Sequence, residues 1–309
     1  MRTAKSVVLF VLGVAVVGNA CASDQTRRRK VLLIGLDGVR VDVLATAHTP
    51  NIDALIAGGT FSDVAQTRPP TVSGPGWSSM LTGVWADKHL VTGNDFTGND
   101  YATYPDFLTR LEHVNPQFST FAVVDWGPLG TEASGGPLLS AAIDVLPFFD
   151  GEKYDGGYAT ADSLSVRAAV QHLTSEDPDA AFVYLGYIDI AGHEWSSLAP
   201  EYKASIELAD SQVGELLAAL RSRPTYDQED WLIIVATDHG RTDAGGHGGD
   251  SLEETTIFYL ASGPSAARGA LATPPEIVDV AVTALAFLGV EIDPAWGLDG
   301  KVVGLREGR

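Results

Sequence analysis

Five short apolar runs, none alternating with polar residues, limit this chain more than any other feature. They are Val31 to Leu36, Phe118 to Val124, Ala181 to Ile188, Trp231 to Thr237 and Thr256 to Ala261. A strand with one wet face alternates. A continuous run of Val, Ile, Leu and Phe is a strand covered on both faces, as in a parallel sheet. Helical periods lie between the runs. The clearest is Glu201 to Arg221, where Ile206, Ala209, Val213, Leu216, Leu217 and Leu220 form one apolar stripe. Tyr104 to Val114, Thr160 to Leu173 and Pro275 to Leu288 carry weaker versions. Strands alternating with helices predict an α/β fold, a doubly wound, mostly parallel central sheet with helices on both faces. No repeat, low-complexity linker or composition break divides the chain, so residues 23–309 are expected to form one domain.

Residues 1–22 are expected to be an export signal outside that fold. Arg2 and Lys5 give a positive start, and Val7 to Gly18 is an apolar run of 12 residues, too short to span a bilayer. Ala20-Cys21-Ala22 offers the small-x-small pattern of a cleavage site. The chain is therefore expected to be exported, periplasmic or secreted. Lipid attachment at Cys21 is the secondary reading, since Gly18 stands where a lipoprotein signal carries a branched apolar residue. This lone cysteine allows no intrachain disulfide. Arg27 to Lys30 is expected to be a solvated lead-in to the first strand.

Asp and Glu number 40 against 20 Lys and Arg, a formal charge of −20. Loss of the leader removes Arg2 and Lys5 and leaves 18 basic residues against 40 acidic, a formal −22. That excludes a nucleic-acid scaffold or an anionic-membrane binder, which need basic surface. A small anionic substrate stays open, because bound cations reverse the local field.

The chemistry falls at the carboxyl ends of the apolar runs, where ligands collect in such sheets. Asp37 follows the first run, and Asp189 follows the third, with His193 four residues on. Asp238 and His239 follow the fourth, and His247 sits among four glycines. Three carboxylates and three imidazoles on one sheet edge suit zinc or a similar divalent ion. Singly, Asp37 could be a helix N-cap and His247 part of a Gly-rich turn. His48, His89, His113 and His172 have no such setting and read as structural or surface residues. A second feature is the Pro-bounded loop from Arg68 into a helix expected to start near Pro75. Ser73 is expected just before that helix, where the helix dipole favours an anion. Beside a metal it could ionise and attack; without one it is an N-cap. The helix start at Gly74 to Gly76 is expected to steady the oxygens of a bound anion. The Gly- and Pro-rich stretch Asp125 to Asp150 reads as a loop or small cap near the site. Trp77, Trp85, Trp126 and Trp195 could line a pocket, though core packing is the commoner role.

In this order the pieces resemble the alkaline phosphatase superfamily, most of all its type I phosphodiesterase/nucleotide pyrophosphatase branch. The likeness runs from Leu33-Ile34-Gly35-Leu36-Asp37-Gly38 through Thr49-Pro50-Asn51, the Ser73 loop with Leu81-Thr82-Gly83, and Asp189 to His193. It continues through Thr237 to Gly240 and His247-Gly248-Gly249 to Gly297-Leu298-Asp299-Gly300. The resemblance implies two divalent ions, zinc first. One would be held by Asp37, Ser73, Asp238 and His239, the other by Asp189, His193 and His247. It implies a nucleophile ten residues before Gly83, which is Ser73, and a phosphoryl-binding Asn a few residues after His89, which is Asn94. The implied activity is hydrolysis of phosphodiester or nucleotide pyrophosphate bonds in a small anionic substrate, through phospho-Ser73.

The chain departs from that pattern in places. Gly74 stands where the branch commonly has an aromatic residue. Trp77 stands where a sulfatase with an oxidised nucleophile has Arg. Asp125-Trp126-Gly127-Pro128 supplies no base for the extra charge of a monoester. The alternatives are a phosphomonoesterase, phosphonate or sulfate ester hydrolase, phosphoryl transfer to an alcohol, and, in another class, an exported metal-binding protein without chemistry.

Overall fold

A computed structural model describes residues 27–306, so the expected leader and Cys21 lie outside the described residues. Six strands, β1 (Arg28–Leu36), β2 (Thr60–Gln66), β3 (Thr120–Val123), β4 (Ala180–Leu185), β5 (Glu229–Ala236) and β6 (Thr256–Ser262), form one sheet in the order β2-β6-β5-β1-β4-β3. β3, β4, β1 and β5 run parallel, while β6 is antiparallel to both β5 and β2. The architecture is the expected mixed α/β, mostly parallel sheet with helices.

The lack of alternation has a direct cause. Val31, Leu33, Phe182, Leu232 and Ile234 pack on one face with the helices Ser73–Thr82 and Asp279–Phe287. Leu32, Ile34, Val183, Ile233 and Val235 pack on the other with Gly157–Ser175 and Pro200–Arg221. Both faces of the central strands are dry, so Val31 to Leu36, Ala181 to Leu185 and Trp231 to Ala236 carry no charged side chain. In register, Leu36 pairs with Leu185 and Gly35 with Ala236. The carboxyl ends of β1, β4 and β5 therefore stop side by side.

Several expectations need correction. β2 was not foreseen. It is an edge strand with Asp63 and Val64 exposed and a register shift between Ser62 and Ala65, so it needs no apolar run. The third run ends early: β4 stops at Leu185, and Ile188 belongs to the helix Tyr187–Trp195. The helix expected from Tyr104 starts at Phe107, because Asp106 caps it by accepting from the Leu108 and Thr109 N–H groups. The basic lead-in is not simply solvated. Arg28 to Lys30 belong to β1, and Lys30 is fully buried, with its ammonium 2.9 Å from Asp177 and 2.8 Å from the Pro178 carbonyl. Pairing of that charge is what permits its burial. Among the described residues no helix is long and apolar enough to cross a membrane.

Candidate metal and nucleophile site

The aligned strand ends bring the singled-out residues together. Asp37 leaves β1 fully inside the protein. Its Oδ2 accepts from the Tyr184 hydroxyl at 2.6 Å and the Trp77 indole N–H at 2.9 Å. Its Oδ1 faces Ser73 Oγ at 3.4 Å and His239 Nε2 at 3.6 Å. Burial pushes this carboxyl up to about 6, with the Asp189 charge adding and the two donors opposing. Asp238, just beyond β5, is also fully buried. Its Oδ1 accepts from the Gly38 N–H at 3.1 Å, while Oδ2 has no partner and lies 3.4 Å from His239 Nε2. Burial holds this carboxyl well above the usual range.

Two imidazoles are fixed by their other nitrogen. His239 Nδ1 donates to the Gly240 carbonyl at 2.9 Å and His247 Nδ1 to the Thr71 carbonyl at 2.8 Å. Each Nε2 thus turns a lone pair into the site, the tautomer a metal ligand needs. Burial lowers both rings to about 4, so both are neutral at pH 7. Asp189 and His193 lie four apart on the helix Tyr187–Trp195 and so share a face. His193 Nε2 is 3.4 Å from Asp189 Oδ2 and 3.0 Å from His247 Nε2. Burial raises Asp189, but the His193 contact and the Arg241 charge outweigh it and hold this carboxyl below its ordinary range.

Ser73 is not ahead of the helix but its first residue. Val72 takes the extended cap conformation, and Ser73 Oγ lies 3.3 Å from His239 Nε2. The helix start offers fewer donors than expected. The Gly74 N–H bonds Asn94 Oδ1 at 2.8 Å, Pro75 has none, and the Gly76 N–H bonds the Val72 carbonyl. The N–H groups of Gly74 and Gly76 are thus already engaged at this helix start. Gly74 also has a steric cause. A Cβ there would overlap the Gly93 carbonyl, so the loop carrying Asn94 excludes the aromatic residue that the family pattern has.

Asp37, Asp238 and His239 form one compact group, and Asp189, His239 and His247 another, with ligand atoms in each within 4.8 Å. The residues fit divalent cations on two grounds. Asp238 Oδ2 is buried without a donor, and the His239 and His247 rings both turn an Nε2 lone pair toward the Asp189 carboxylate. A cation balances both. Ser73, Asn94, Trp126 and Tyr158 line a 90 Å³ cavity over these groups. Beside it lies a 650 Å³ cavity that shares Asn94, Trp126 and Tyr158 and reaches Phe148 and Asp150, in the stretch read as a loop.

Of the four tryptophans, Trp126 lines the site. Trp77 is buried beneath it, Trp85 lies 3.8 Å under the Arg68 guanidinium, and Trp195 is exposed. The four other histidines stay outside the site: His89 is buried on Ser79, His172 stacks on Phe121, and His48 and His113 are exposed. Sequence reasoning missed Tyr184, hidden inside an apolar run, and Thr71, whose carbonyl holds His247. It also missed Arg241, whose place right after Asp238-His239-Gly240 was a usable signal.

The family model for type I phosphodiesterase/nucleotide pyrophosphatase matches residues 31–256. Human ectonucleotide pyrophosphatase/phosphodiesterase family member 7 is 23% identical over 256 residues, 76% of this chain and 52% of that protein. The chain thus spans about half the length of the curated relatives it matches. Among solved structures, murine ectonucleotide pyrophosphatase/phosphodiesterase 5 superposes with a TM-score of 0.64 at 16% identity, covering 86% of this chain and 96% of that one. A 2-O GAG sulfatase superposes with a TM-score of 0.69, also at 16% identity, covering 89% and 73%.

Proposed function

Since the chain belongs to the type I phosphodiesterase/nucleotide pyrophosphatase family, we propose that it is a metal-dependent hydrolase of phosphate esters, acting first on phosphodiester or nucleotide pyrophosphate bonds. The observation that carries this reading is the position of Ser73 Oγ. It stands at the start of a ten-residue helix, 3.4 Å from Asp37 Oδ1 and 3.3 Å from His239 Nε2.

Asp37, Ser73, Asp238 and His239 would hold one divalent ion and Asp189, His193 and His247 the other, and zinc suits this donor set. Such ions, when bound, supply Lewis-acid stabilisation of the attacking and leaving oxygens. The chain's own groups do the rest. Ser73 Oγ passes its proton to Asp37 Oδ1, 3.4 Å away, and attacks phosphorus in line, so that a phospho-serine forms as the bond from phosphorus to the leaving alcohol or phosphate breaks. Water then releases the phosphoryl group. Asn94, fixed through the Gly74 N–H, presents its amide to a non-bridging oxygen, and the helix dipole acts on the same charge. Tyr184 and Trp77 keep Asp37 in one orientation. The 650 Å³ cavity receives the leaving group, and its Lys153 is tied to Asp150 at 2.7 Å. That leaves little to attract a second anionic group, which favours diesters over monoesters. Trp77, buried against Asp37, stands where a sulfatase would need Arg, which disfavours sulfate esters. Export and a single catalytic domain over residues 23–309 belong to the same proposal.

Ser73→Ala is expected to cut kcat on an aryl phosphodiester by about 10³-fold or more. Metal content by elemental analysis should largely stay, since Asp37, Asp238 and His239 remain to hold that ion. Surviving activity would remove Ser73 from its role. Predominant turnover of an aryl sulfate in a panel with diester, monoester and phosphonate would overturn the substrate class.

A further inference from the structure

Arg241 is a fully buried arginine inside the candidate metal centre. Its Nη1 contacts Asp189 Oδ1 and its Nη2 donates to the Gly245 carbonyl, two residues before His247. Two glycines make room for it. A Cβ at Gly38 would come within 2.8 Å of Nη1, and a Cβ at Gly192 would strike Nε. The guanidinium is therefore built into the site.

Its charge falls most directly on Asp189, in one ligand group, and reaches the other only through His239. Asp37 and Asp238 receive neutral donors: a tyrosine hydroxyl, an indole N–H and a backbone N–H. That group carries two carboxylates with no cation on either. The group of Asp189, His193 and His247 carries one carboxylate, and Arg241 already neutralises it.

We propose that Arg241 is a positioning residue that makes the two cation sites unequal, so that the ion on Asp37, Asp238 and His239 is held tightly and the ion on Asp189, His193 and His247 loosely and exchangeably. This rests on the two-ion reading above. Two effects of Arg241 oppose each other. Its fork orients Asp189 and the His247 loop, and loss of such support ordinarily weakens binding about 10- to 100-fold. Its buried charge repels an incoming dication at short range and low dielectric, and the Arg241→Met titration reads which of the two is larger.

The test strips the full-length protein of metal with a chelator and titrates Zn²⁺ against a competing chromophoric chelator. Two binding steps are expected, separated by about 100-fold or more in Kd. Asp238→Asn should remove the tight step and His193→Ala the weak one. Arg241→Met, checked for folding by circular dichroism, should tighten the weak step by about tenfold or more and change the tight step much less. Arg241→Lys, which keeps the charge but loses the fork, should keep a wide gap. Equal affinities, the reverse order of filling, or an Arg241→Met protein whose weak step is unchanged or weaker would overturn the proposal. Saturation below two ions per chain is a separate result, and it would overturn the two-ion reading itself.

Discussion

His89 shows how one buried ring ties stability to pH. Its Nδ1 accepts from the Val91 N–H at 3.1 Å, so its proton sits on Nε2, 3.0 Å from Ser79 Oγ. Burial lowers its pKa from 6.5 to about 4. A depressed folded-state value means that the unfolded chain takes up the proton first. The ring's contribution is full above about 6.5 and is lost as pH falls toward 4, reaching about 3 kcal/mol. Urea unfolding of metal-free protein at pH 7.5 and 4.5 is expected to show a smaller pH effect in His89→Gln by roughly that amount. Identical pH effects in the two proteins would contradict this. At this scale, legibility depended on contrast. Asp37, Asp189 and Asp238 stand out because a charge closes or follows an apolar run. Tyr184 has no contrast with its apolar neighbours. Arg241 was signalled only by its place after Asp238-His239-Gly240, and the space that Gly38 and Gly192 leave for it shows only in the structure.

Among the elements, the helix Pro200–Arg221 was legible nearly to the residue. Its stripe keeps one period and Pro200 marks its first turn. Leu216 lies fully buried in that stripe, in the core against the sheet. Leu216→Ala is expected to cost about 2–5 kcal/mol, read as a lower urea midpoint at unchanged slope. A loss below about 1 kcal/mol would mean that the face packs loosely. β2 could not be read in this way, since an edge strand with two exposed residues has neither a run nor a clean alternation. Helix starts shifted wherever a cap decided them: Asp106 delays one helix, and Val72 admits Ser73 to another. The site's layout followed from register, which no single run contains, because β1 must align with both β4 and β5 before their loops converge.

For the whole molecule, a formal charge of −20 opposes the approach of any anionic ester. That repulsion is long-ranged and screened by salt. For an anionic diester, kcat/KM is expected to rise between about 20 and 200 mM salt, while kcat changes little. A falling kcat/KM would point to a local positive funnel outweighing the global field. The molecule's other constraint is steric, where the Gly93 carbonyl closes over Gly74. Divergence toward new esters is thereby channelled: innovation at position 74 is shut off unless the neighbouring loop is rebuilt at the same time. Trp126 and Tyr158, which line both cavities, carry no such block.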